Sequence, residues 1–383
     1  MTLPSSTSSS DLRPLAVRLL LFLPLVSVMV AVNLRIDPGN VTGTGELERR
    51  WAEELHAGHG VRAQSGYDEM LLQRRRAERM RQPPDVLVLG SSRSMTVSSA
   101  SFPGLRLWNG SVSSATIEDY VAVEQLFEDR GLRPRSVLIG IDPWVLGASL
   151  RNNSVALEAE LQRGLKRIGL EGAAERGALP PARHARWRYL ELLSPAYFQA
   201  SLSVVASGGW AALRRGRPQS NATPQASSTS GNLIYPDGSL DWAPRLADRS
   251  LEETKQLARK HSLHPPAYIM AKPLPERRRL LEAFVSRLRR DGVMVAFWFA
   301  PFHPDAYRGP GSSEHTSVIE AAEADFRALA VRLGCTVVGS FDPARAGAFE
   351  EDFVDEHHPR RAATLRLLRV GGPSALPALR TKD

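Results

Sequence analysis

The chain has 383 residues, 43% of them hydrophobic, and its 49 Lys and Arg against 41 Asp and Glu leave a net charge of +8. That is enough apolar material for one large core or two small ones, which excludes a disordered chain. Its single cysteine, Cys335, excludes an intramolecular disulfide and reads as a small residue of a buried strand. No basic tract is interleaved with aromatics, so no nucleic-acid partner is expected; the arginine excess fits an anionic surface or polymer, and equally fits codon composition.

In chain order, a Ser/Thr-rich tail over residues 1–14 precedes an apolar segment at 15–34, of which 19–32 carry no charge. With Arg18 placed to snorkel, and with no clear small-x-small cleavage site to favour the alternative of a signal peptide, this predicts an uncleaved signal anchor that crosses the cytoplasmic membrane once, the tail inside and the large domain outside. Residues 35–84 read as a juxtamembrane helical linker. Its second half, "YDEMLLQRRRAERMRQ", is basic and suits a solvated helix face or the membrane surface, and Pro83 and Pro84 end it.

From Asp85 short apolar runs alternate with helical patterns: "DVLVLG", "LRLWNG", a helix from about 117 to 130, "SVLIGID", a helix from about 276 to 290, "VMVAFWFAP", a helix from about 317 to 333, and "CTVVGS". This alternation predicts a doubly wound (flavodoxin-like) parallel sheet of about five strands with helices on both faces, over residues 85–375. Between about 148 and 272 the alternation stops. That segment reads as a helical and loop insertion at the sheet edge, placed to shape a site, with a low-complexity loop and the turn-rich "YPDGSLDW". Residues 376–383 are read as a tail.

Chemistry concentrates at two stretches. "GSSR" ends the first strand, and catalytic loops of parallel sheets lie at strand carboxyl ends, so Ser91 or Ser92 is a candidate nucleophile. "DEHHP" near the carboxyl terminus sets Asp355 and His358 three residues apart, a spacing that lets a carboxylate hold the histidine nitrogen remote from the nucleophile. Arg93 offers a planar fork for a carboxylate or phosphate, and His303 in "APFHP" sits at another strand end. Arg93, Asp142, His303 and His357 are candidate substrate-binding residues. His303, His357, His358 and Asp355 match no standard zinc spacing, so no metal and no cofactor are expected.

With "GSSR", "WNGS", "GIDPW" and "DEHHP" in this order, the chain resembles the SGNH (GDSL-like) hydrolase superfamily over roughly residues 85–145 and 270–370. It looks most like the membrane-anchored envelope branch, similar to the D-alanyl transfer protein of teichoic acid synthesis and the alginate O-acetylation proteins. The resemblance implies Ser92 as nucleophile, with His358 and Asp355 completing the triad. It also implies an oxyanion hole from the Ser92 N–H, Gly110 and an amide for which Asn109 is the candidate, since Asp142 stands where the family has an amide donor. The implied activity is an extracytoplasmic serine acyltransferase or esterase that acylates or deacylates an envelope polysaccharide or polymer. An acyl donor and a multispanning membrane-bound O-acyltransferase are the implied partners. The competing expectation, raised by Asp142, is a non-catalytic envelope scaffold or glycan-binding protein on the same fold.

Overall fold

The computed structural model describes residues 9–37, 45–63, 67–147, 154–171, 189–208 and 231–371. Two compact units divide the chain: one gathers Met1–Thr44, Ser65–Tyr67 and Pro180–Ser220, the other Gly45–Gln64, Asp68–Leu179 and Asn221–Asp383. The amino-terminal tail up to residue 8, residues 148–153 and 172–188 of the insertion, most of its low-complexity loop and the tail at 376–383 lie outside the described residues.

In the first unit a helix runs over Ser9–Ile36. Asn33 fastens its end, donating from Nδ2 to the Leu192 carbonyl at 2.8 Å and accepting from the Ser201 hydroxyl at 2.8 Å. Leu23, Leu25, Val26 and Val28 of this helix are exposed. Among the described residues, which exclude the side chains of 9–22, no helix is long and apolar enough to cross a membrane.

Among its described residues the second unit holds eight strands: β1 (Val61–Ala63), β2 (Val86–Leu89), β3 (Leu107–Asn109), β4 (Ser136–Gly140), β5 (Asn232–Ile234), β6 (Leu240–Asp241), β7 (Met294–Phe299) and β8 (Thr336–Gly339). Five of them form a parallel sheet in the order β3-β2-β4-β7-β8. Numbered within the sheet this is 2-1-3-4-5: the chain steps from β2 to β3 on one side and then crosses to β4 on the other, the kind of switch point at whose carboxyl strand ends such sheets bind ligands. Strand β2 is buried along its whole length, as its uninterrupted apolar run requires. One sheet face packs Leu87, Leu89, Val137 and Ile139 against helices Ile117–Glu128, Pro275–Arg290 and Ser313–Leu333. The other packs Val86, Val88, Leu138 and Trp298 against Val97, Phe102 and, from the helix Arg361–Gly371, Leu367 and Leu368. Cys335, just before β8, is half-buried rather than core, and burial pushes its thiol up to about 11.

Local chemistry sets these boundaries. Asp119 accepts the Thr116 N–H at 2.8 Å and hydroxyl at 3.0 Å at the start of Ile117–Glu128, and Ser250 and Glu253 form a reciprocal capping box before the helix Leu251–Leu263. Gly334, at φ +65°, ends Ser313–Leu333 in the left-handed conformation that glycine adopts without strain.

Two expectations about the flanking segments are corrected. The stretch after residue 45 is part of the globular unit rather than a linker: Met70 and Ala77 of the helix Glu69–Ala77 join the main core. Arg76 of its basic run is buried, stacked 3.9 Å over the Trp108 ring, an arrangement worth about 2 kcal/mol when desolvated. The insertion is likewise no edge ornament. Leu161 and Leu165 of its helix Glu158–Arg167 are core residues, and its hairpin β5–β6 pairs with β1 in a second, antiparallel sheet.

Candidate active site

Glycines at two strand ends create the room in which the nucleophile turn sits. A Cβ on Gly90 would approach Ser94 Oγ to 2.6 Å and one on Gly140 would collide with it, so the turn drops between β2 and β4 only because both positions lack a side chain. The turn Ser92–Ser94 is a short 3-10 helix. Ser91 caps it, its hydroxyl accepting the Arg93 N–H at 3.2 Å, and Ser92 is the serine left to face outward, half-buried.

Ser92 Oγ lies 2.8 Å from His358 Nε2, and His358 Nδ1 lies 2.8 Å from Asp355 Oδ2 and 3.0 Å from Oδ1. Asp355 Oδ1 also accepts the backbone N–H groups of His357 at 3.1 Å and His358 at 2.9 Å, so one carboxylate organises the turn and orients the ring. A bridge between Phe353 and Pro359 and the bond from Val354 N–H to the His358 carbonyl at 3.0 Å close the turn. Burial pushes the Asp355 carboxyl up, but the adjacent His358, the His357 ring and the N–H groups outweigh it and hold it well below the usual carboxylate range. An ionised carboxylate only accepts, so the proton of His358 sits on Nδ1, and Nε2 presents its lone pair to the Ser92 hydroxyl.

The hydrogen bonds reassign the remaining candidates. Arg93 is buried and has no free fork: it bonds the carbonyls of Ala300, Pro301 and His357, lies 3.4 Å from Asp142 Oδ1 and stacks 4.3 Å over Phe302. It is therefore a strut beneath the turn and not a substrate clamp. Asp142 is buried too. Burial pushes its carboxyl up against the pull of Arg93, of the Ser91 hydroxyl and of His358, and the ion pair with Arg93 accounts for an acidic residue at this position. His303 is fully buried, its Nδ1 capping the helix Pro304–Arg308 by accepting the Asp305 N–H at 3.0 Å, which removes it from the substrate-contacting set.

Two of the three expected oxyanion donors, Gly110 and Asn109, are committed elsewhere. Gly110 N–H extends the β-ladder by donating to the Val88 carbonyl at 2.8 Å, and Asn109 Nδ2 is shared among the carbonyls of Ser94, Met95 and Val97 at 2.8–3.2 Å. Asn109 thus pins the loop behind the nucleophile. At the turn, the Ser92 N–H and the buried Ser111 hydroxyl have no hydrogen-bond partner among the described residues, and Ser111 lies level with Gly90 because Val112 N–H donates to the Gly90 carbonyl at 3.1 Å.

Three residues of the neighbourhood escaped the sequence reading. Trp242, just after β6, lays its ring 5.0 Å from that of His358 and bonds the Pro359 carbonyl at 2.9 Å, so the insertion hairpin does reach the site. His261 and Glu356 stand beside His357, whose ring is buried and held well below its usual pKa by that burial and by His358. Only Glu356 carried a signal, its adjacency to His357 and His358. Comparison with protein-family models, with curated proteins and with solved structures found no match.

Proposed function

We propose that this protein is a serine acyltransferase or esterase that works through an acyl-enzyme on Ser92. The observation that carries the reading is the continuous relay from Ser92 Oγ through His358 to Asp355, with both contacts at 2.8 Å. Ser92 Oγ attacks an acyl carbonyl as its proton passes to His358 Nε2; the imidazolium, held by Asp355, then protonates the departing alkoxide. The acyl group leaves Ser92 when His358 takes the proton of an incoming hydroxyl, of a sugar or of water. The Ser92 N–H and Ser111 hydroxyl are the donors proposed for the oxyanion.

The setting proposed is the outer face of the cytoplasmic membrane, with an envelope polysaccharide or polymer as acceptor and a multispanning O-acyltransferase as partner. Supporting it are the uncharged run 19–32, the exposed apolar side chains of the helix Ser9–Ile36 and the resemblance to envelope acylation proteins. The reading as a non-catalytic scaffold leaned on Asp142, and pairing with Arg93 gives that carboxylate another role.

The test is turnover of p-nitrophenyl acetate by the detergent-purified full chain, with and without a hydroxyl-bearing oligosaccharide. Release of p-nitrophenol by the wild type and its loss in His358→Ala are expected, with acetylated oligosaccharide separating transfer from hydrolysis. No release from folded wild-type protein contradicts the reading.

A further inference from the structure

Beside the relay stands a second cluster of ligating side chains with no part in it. His261 comes from near the end of the helix Leu251–Leu263, and Glu356 and His357 from the turn that carries Asp355 and His358. One ligating atom from each of the three lies within 4.8 Å of the others. Glu356 Oε1 is 3.5 Å from His357 Nδ1 and 3.7 Å from His261 Nδ1. These separations exceed a good hydrogen bond and match the spacing of about 3.4 Å that two ligands keep across a tetrahedral ion with bonds of about 2.0–2.1 Å.

A second observation points the same way. His357 is 8% exposed and its Nδ1 has no hydrogen-bond partner; His261 is 6% exposed and its Nε2 has none either. A buried polar atom without a partner costs about 1–3 kcal/mol, and native structures leave few of them. His261 turns Nδ1 to the Glu356 carboxylate, and its unpartnered Nε2 is the ring nitrogen away from the site; His357 Nδ1, buried and facing the same carboxylate, is accounted for by a bound cation. The backbone is braced for it: His303 N–H donates to the Glu356 carbonyl at 3.0 Å and Arg93 Nε to the His357 carbonyl at 3.3 Å.

We propose that His261, Glu356 and His357 bind a first-row divalent transition metal, Zn2+ fitting best. Two imidazoles and a carboxylate are too rich in nitrogen for Ca2+ or Mg2+, and three protein ligands leave a fourth position for water or a substrate oxygen, as in catalytic rather than structural zinc sites. The site adjoins the relay, the His357 and His358 rings being 4.2 Å apart, yet it stands independently of the serine reading.

The experiment is titration of the chelator-stripped full chain, purified in detergent through a tag without histidine, with Zn2+ alone and with Co2+ alone. About one equivalent of Zn2+ per chain is expected, with Co2+ giving the visible absorption of a tetrahedral site that Zn2+ displaces. His261→Ala and the isosteric Glu356→Gln should each weaken Zn2+ binding by more than the roughly 10–100-fold typical of an outer-shell partner. Exposed His59→Ala should leave it unchanged, as should Ser92→Ala, which separates this outcome from that of the acyl-enzyme. Uptake well below one equivalent, or stoichiometric uptake that folded Glu356→Gln retains unchanged, overturns the proposal.

Discussion

The two sides of the site differ in polar satisfaction, although the Ser111 hydroxyl on the nucleophile side also lacks a partner. On the nucleophile side, Asn109, Arg93, Ser91 and Asp142 spend their hydrogen bonds on neighbouring backbone or on each other, and the glycines at 90 and 140 let the turn close on Ser94. On the histidine side, His261, His303, His315 and His357 each bury a ring nitrogen with no partner. The contrast separates two tasks. A turn that must hold one oxygen in place is overdetermined by internal bonds, whereas the open ring nitrogens are groups that water or an ion would satisfy.

Substitutions on the two sides sharpen that contrast. The largest effect short of losing the nucleophile is expected from Asp355→Asn, which keeps the shape of the turn but favours the wrong tautomer of His358; kcat for an activated ester should fall by about 10^4, with the melting temperature little changed. A fall below about tenfold would mean that His358 is oriented by something else. Arg93→Leu comes next and acts through stability, because it strands the Asp142 carboxylate in the core; denaturant unfolding should show a loss of about 3–5 kcal/mol. A neutral result would show that Arg93 is not the strut its bonds suggest. Ser111→Ala is the smallest, about 10^2-fold in kcat if its hydroxyl donates to the oxyanion, with unchanged unfolding. If unfolding shifts and kcat does not, Ser111 belongs to the satisfied scaffold.

Much of the scaffold was legible because its signals are local. Five apolar runs became the five strands of the parallel sheet within a residue or two, and the patterns at 117–130, 276–290 and 317–333 became helices. The glycine of "GSSR" and the Asp-x-x-His spacing point to the residues that now meet, since a strand-end turn and a three-residue offset are properties of the chain itself. Asn109 was misread for the complementary reason. Position places it near the nucleophile, but only three-dimensional packing shows its amide already shared among three carbonyls. Trp242 and His261 left no trace because they approach from the insertion, where residues distant in sequence meet without periodicity to announce them. The basic helix Glu69–Ala77 failed a compositional reading, since Arg76 is buried by stacking on Trp108 rather than solvated.

The most direct test of the central claim is intact-mass analysis of the full chain after treatment with a fluorophosphonate, comparing wild type with Ser92→Ala and His358→Ala and mapping the adduct by peptide sequencing. The account predicts one adduct per chain, on Ser92, absent from Ser92→Ala and slowed by several orders of magnitude in His358→Ala. A folded wild type that takes no label, or an adduct that persists in Ser92→Ala, would contradict it.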